Sequence, residues 1–190
     1  MKTKIHKSPA KIESSKKLSD FLEKTNLHKK DFAQMIGVTL SYVYNLIDNT
    51  IPFSTRGTTL ERIATVMEVE PEIFEEYKLP QEPILIDDSI SKIKHILKSK
   101  NTSIVDFLKS FPRTKRLDIV DMLRGAIPVP IDYTELQSIG EIVGMSKEEI
   151  FDIWEERFKQ VMESSGMNIY SNNDLINNML ECAKKYTKSK

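Results

Sequence analysis

The sequence predicts an all-α protein, and three observations predict it. Apolar residues recur at the three- and four-residue spacing of a helix face along most of the 190-residue chain. No alternating apolar–polar run of useful length competes with that pattern as a strand. Two stretches, Thr58 with Glu61 and Ser146 with Glu149, have the serine/threonine-to-glutamate spacing of a helix N-terminal capping box.

The elements follow in order. Leu18, Phe21 and Leu22 share one face of a first helix, and Phe32, Met35 and Ile36 one face of a second. Val43, Leu46 and Ile47 line a third; Leu60, Ile63 and Val66 turn inward on a fourth that Thr58 and Glu61 open. Pro71 is suited to the first turn of a fifth. In KLPQEPILIDD, Pro80 and Pro83 stop helices and favour extended chain.

The same pattern then returns about 75 to 77 residues later. Leu22 and Asn26 match Leu97 and Asn101; Asp31-Phe32 matches Asp106-Phe107; Val43 and Leu46 match Ile119 and Met122; Ile51-Pro52 matches Ile127-Pro128. Leu60, Ile63, Val66 and Val69 match Leu136, Ile139, Ile142 and Met145, and Ile73-Phe74 and Tyr77 match Ile150-Phe151 and Trp154. The expected organisation is a flexible basic arm over 1–14, a helical unit over 15–78 and a linker over 79–89. A second, related unit over 90–155 and a C-terminal helical extension over 156–190 complete it.

Composition narrows the function. Net charge is zero, yet residues 1–62, 63–90, 91–130 and 131–190 carry +5, −7, +6 and −4 in turn. Such alternation either places a polyanion-binding face inside a neutral protein or pairs the blocks across the fold. The single cysteine, Cys182, excludes a disulfide framework, and with only His6, His28 and His95 scattered along the chain no zinc site is expected. No apolar run reaches a membrane span and no charged-then-apolar leader opens the chain, so a reducing cytoplasm is the expected setting. No paired carboxylates, nucleophile elbow or phosphate-binding glycine loop stands out, so neither an enzyme nor a cofactor is expected.

The informative stretch is KKDFAQMIGVTLSYVYNLIDN, Lys29 to Asn49. It breaks a helix after about two turns and restarts it almost at once. Small Ala33 permits close approach of two helices, Gly37 can take the left-handed conformation of the turn, and Thr39 is placed to cap the second helix. Phe32, Ile36, Val38, Val43 and Leu46 supply the inner side. These are the demands of a helix-turn-helix.

On these residues, and on the ERIATVMEVEP run that follows, residues 15–78 resemble the Xre/Cro, phage-repressor-like family of DNA-binding domains. The resemblance implies a five-helix domain, usually dimeric on DNA, acting as a transcriptional regulator, with the Leu40–Asp48 helix in the major groove. Carried over, it places Thr39, Leu40, Ser41 and Asn45 at base-facing positions, with Asn45 able to pair an adenine edge. Lys29, Lys30 and Tyr42 fall where phosphate contacts are common. Arg56, a further expected phosphate contact, lies in NTIPFSTRGTT, a loop longer than the common family form. Leu40 departs from the polar residue often seen at its place, and either meets a thymine methyl or only packs. Tyr44 reads as half-buried packing.

The second unit reads as a worn copy, so the whole is expected to be two tandem five-helix Xre/Cro-like (lambda-repressor-like) units plus C-terminal helices. Leu108 replaces Ala33 and Pro112 replaces Gly37. The base-facing places become Lys115, Arg116, Leu117 and Asp121, and Asp118 replaces Tyr42. Docking or bracing is the expected use; Arg113, Lys115 and Arg116 leave secondary phosphate contact as the next alternative. In the extension, Ile150, Phe151, Trp154, Phe158 and Val161 line one helix, and Leu175, Ile176, Met179, Leu180 and Ala183 a second that starts near Ser171 with Asp174 as a capping partner. These stripes either close the intramolecular core or form a homodimer seam. The basic arm either adds affinity for DNA or is simply solvated.

The leading expectation is a sequence-specific regulator of double-stranded DNA. The alternative is a helix-turn-helix interaction module, antitoxin-like or regulator-binding, that reads no DNA sequence.

Overall fold

The computed structural model describes residues 9–53, 57–78, 88–166 and 173–188. The protein is all-α: ten α-helices, two short 3-10 helices and no strand occur among the described residues. The helices are α1 (Pro9–Lys24), α2 (Lys29–Met35), α3 (Leu40–Ile47), α4 (Gly57–Met67) and α5 (Asp88–Ser99), then α6 (Ile104–Lys109), α7 (Arg116–Leu123), α8 (Tyr133–Ile142), α9 (Lys147–Ser164) and α10 (Asn173–Lys188). Among the described residues no helix is long and apolar enough to cross a membrane.

The chain forms two compact units that do not follow the repeat. One holds residues 1–86 together with 102–127, and the other holds 87–101 together with 128–190. One division, at 86/87, falls within the expected 79–89 linker, but the others fall at 101/102 and 127/128 and none at 155: α6 and α7, the second copy's helix pair, pack with the first copy, and residue 155 lies inside α9. Residues 1–8 lie outside the described set, but α1 starts at Pro9, so residues 9–14 of the expected arm are helical. Ser14 and Ser15 are buried.

In the first unit the expected inner faces are the core. Leu18, Phe32, Met35, Ile36, Val43 and Leu46 are fully excluded from water, as are Phe53 and Val66. Phe53 stacks on Phe74 with centroids 5.5 Å apart. The Ser15 hydroxyl donates to the Leu46 carbonyl over 2.5 Å, tying the end of α3 to α1. The fifth helix shrinks to a 3-10 turn, Pro71–Ile73, with Pro71 at its start. The Thr58–Glu61 capping box does not form: Thr58 lies within α4, and the buried Glu61 carboxylate accepts from Arg124 and Tyr77 instead.

The second unit packs α5 and α8 against α9. Gly140 is required there, because a Cβ would overlap Ile150 on α9. The Ser146–Glu149 capping box is complete, each side chain bonding the other's backbone N–H. Trp154 packs, as expected: it stacks on Phe158 with centroids 5.3 Å apart, and its Nε1 donates to the Ile131 carbonyl. On α10 only Ile176 and Leu180 of the anticipated stripe are buried, while Leu175 and Met179 are exposed. Ser171 lies outside the described residues. Ile142, expected inside by its match to Val66, is exposed, and Val143 takes the inward place.

The backbone repeats even though the packing does not. Helix ends with a left-handed residue occur at Asn26, Asn49 and Glu68 (φ 48°, 56° and 57°) and again at Asn101, Gly125 and Gly144 (φ 52°, 80° and 66°). The closing bonds recur too: Thr50 N–H donates to the Asn45 carbonyl and Ala126 N–H to Asp121, while Val69 donates to Ala64 and Met145 to Gly140. These are the bonds by which a left-handed residue satisfies the last carbonyls of a helix.

Candidate nucleic-acid interface

The α2–turn–α3 segment has the geometry its sequence requires. Gly37 is left-handed at φ 71°. Val38 N–H donates to the Ala33 carbonyl and Gly37 N–H to that of Gln34, which closes α2 in the Schellman pattern. Thr39 is the N-cap of α3, its hydroxyl accepting from Tyr42 N–H over 3.2 Å. With Val43 and Leu46 wholly buried, the opposite side of α3 is set outward.

Of the base-facing candidates, Thr39 and Ser41 are exposed, Leu40 is 38% exposed, and Asn45 is half-buried. The Asn45 carbonyl accepts the closing bonds of Thr50. Tyr42 is half-buried and Lys30 exposed. Lys29 is half-buried because its ammonium lies 5.4 Å from the centre of the Tyr44 ring. Arg56 lies outside the described residues. Tyr44 corrects an expectation: it is 46% exposed rather than packed. Its position four residues after Leu40, on the side away from Val43, carried that signal.

Of these residues Lys29, Lys30, Leu40 and Tyr44 border a cleft of about 450 Å³, whereas Thr39, Ser41, Tyr42 and Asn45 do not line it. His28, Lys29, Lys30, Asp31, Leu40, Tyr44 and Arg113 line it. The cleft unites Lys29, Lys30 and Leu40 of the first copy with Arg113 of the second. The Arg113 guanidinium lies 3.2 Å from Asp31 Oδ1. Sequence reasoning missed His28 and Asp31 at this place, since neither belongs to the second or third helix's expected contact set.

Arg116 does not line the cleft, although its Nη1 lies 3.8 Å from the same Asp31 Oδ1. Its side chain is buried, and its guanidinium donates to the carbonyls of Phe111 and Lys109. The reason is Pro112, which lies at φ −52° and cannot supply the left-handed turn that Gly37 supplies. Arg116 satisfies with its side chain the carbonyl of Lys109, the last residue of α6, and that of Phe111 in the turn that follows. It is a structural residue here, not one presented to phosphate. Lys115 is exposed.

Leu117 and Asp121, two of the second copy's expected base-facing positions, point instead toward the first copy. Both Leu117 methyls lie 3.0 Å from where a Cβ on Gly37 would be. Asp121, the counterpart of Asn45, accepts from Arg62 Nε and Nη2 at 2.8 and 2.7 Å and from Arg124 Nε at 2.7 Å. Arg124 also donates to Glu61, which accepts from the Tyr77 hydroxyl at 3.2 Å. Burial raises the Asp121 carboxyl, but the bonds from Arg62 and Arg124 outweigh it and hold the group below the usual range. Burial first, and then the Glu61 charge, push the Tyr77 hydroxyl up to about 12. Thus α7 braces α2 and α4 through the face that α3 leaves open.

No protein-family model matches the chain, and no curated protein or solved structure matches it.

Proposed function

We propose that the protein is a cytoplasmic, double-stranded-DNA-binding regulator of the Xre/Cro kind, and that α3 reads base edges in the major groove. The observation that carries this reading is the outward side of α3, left open by the Gly37 turn and bordered by Lys29 and Lys30. Ser41 and Asn45 are the base-reading polar residues, and Leu40 meets a thymine methyl. Lys29, Lys30 and Tyr42 set the register on the backbone. The degenerate second copy braces the first. A homodimer would read two half-sites about one helical turn apart. Selection from a random duplex library at two salt concentrations tests the reading. A recovered motif whose binding weakens at high salt supports it, and no enrichment at low salt defeats it.

One observation favours a second reading. The outer side of α3 presents Leu40 and Tyr44 and carries no basic residue. The equivalent side of α7 already docks on protein. An interaction module that takes a protein partner on α3 fits those facts, and a weak salt dependence of nucleic-acid affinity would favour it.

A further inference from the structure

We infer that the second copy supplies a phosphate contact to the first copy's DNA interface through Arg113, and that Asp31 holds this arginine in place until DNA displaces it. The inference rests on the DNA-binding reading of α3. Three cations, Lys29, Lys30 and Arg113, line one cleft beside Leu40 and Tyr44, with Asp31 as the carboxylate among them. A cleft with that balance of charge suits a phosphodiester anion. Arg113 is 58% exposed on its side chain, and its neighbour Asp31 is 22% exposed. Asp31 Oδ1 lies 3.2 Å from Arg113 and 3.8 Å from Arg116 Nη1, yet no hydrogen bond of proper geometry reaches it. A loosely paired, planar guanidinium can turn to a phosphate oxygen without unfolding anything. The contrast within the same segment is instructive: Arg116 is buried on two carbonyls and is fixed, whereas Arg113 is poised at the cleft edge.

The test uses the full chain, a duplex carrying the selected site, and a generic duplex of the same length. R113A is expected to weaken binding roughly 3–10-fold on both duplexes and to lower the salt slope by about one, as loss of a sequence-independent phosphate contact does. R113K, which keeps the charge, recovers part of that loss. D31N tightens binding when Arg113 is present and much less in R113A, because the freed arginine is what gains. Inorganic phosphate at matched ionic strength displaces the duplex no better than chloride. R113A with unchanged affinity and slope, while the wild type binds, would overturn the inference and leave the regulator reading standing. An equal gain from D31N in both backgrounds, or a cleft saturated by inorganic phosphate alone, would also overturn it. A wild type with no salt-dependent DNA binding removes the regulator reading and this inference together.

Discussion

Asp121 accepts two parallel hydrogen bonds from Arg62, at 2.8 and 2.7 Å, and so joins α7 of the second copy to α4 of the first. The side chains are 15% and 19% exposed, so water screens the pair little. Removing one member leaves the others as uncompensated charge. D121N is expected to cost about 3 kcal/mol of stability. A double-mutant cycle with R62M should show strong coupling, and additive losses in denaturant unfolding would contradict the brace.

Gly37 meets two demands at once, a positive φ and space for Leu117. G37A is expected to cost about 1–2 kcal/mol from the backbone conformation alone, with further loss from contact with the Leu117 methyls. In an L117A background most of the contact part should vanish, while the backbone part and the approach to Arg62 Nη1 at 3.3 Å remain. Equal losses in both backgrounds, read from thermal unfolding, would place Leu117 elsewhere.

Arg116 closes the end of α6 where Pro112 prevents a left-handed turn. R116M keeps the apolar stem but leaves the carbonyls of Lys109 and Phe111 without that donor. It is expected to destabilise by about 1–3 kcal/mol and to leave the salt slope of DNA binding unchanged. A reduced slope would return Arg116 to the phosphate-contacting set.

The charged cluster also sets a pH dependence. The Asp121 carboxyl titrates below its ordinary value in the folded state, so its contribution is present above the unfolded pKa and is lost as pH falls through the folded one. Tyr77, raised to about 12, works at the other end. The unfolded chain loses that proton near pH ~10, so stability falls between there and 12. Relative to the wild type, D121N should show a shallower loss in acid, and Y77F a shallower loss in alkali. Parallel curves for wild type and D121N would contradict the acid assignment.

The sequence made some of this legible and hid the rest, for physical reasons. Gly37, Thr39 and the inner faces of α2 and α3 were readable because local geometry restricts which residues can stand there. The completed Ser146–Glu149 box was readable for the same reason, but the Thr58–Glu61 pair shares its spacing and does something else. Glu61 is claimed by Arg124, a partner 63 residues away, and no local pattern announces that. The repeat was visible, yet its copies do not pack as separate bodies, since α6 and α7 join the first unit. Matched apolar positions record a shared backbone, and the left-handed residues at Asn26 and Asn101 agree with it. Which unit each helix joins depends on single residues such as Leu117 and Asp121. Tyr44 was misjudged because an aromatic side chain suits either a core or a cation such as Lys29.

In the proposed reading, one copy reads DNA with the face that the other copy uses to dock. Amide chemical-shift mapping during titration with a selected duplex tests it most directly. Perturbations are expected to concentrate at Lys29, Lys30 and Thr39 to Asp48, with Leu117 to Leu123 unmoved, and the pattern is expected to be lost in a variant carrying S41A and N45A. Perturbations centred on α7, or an unmoved α3 under conditions where the duplex is bound, would contradict it.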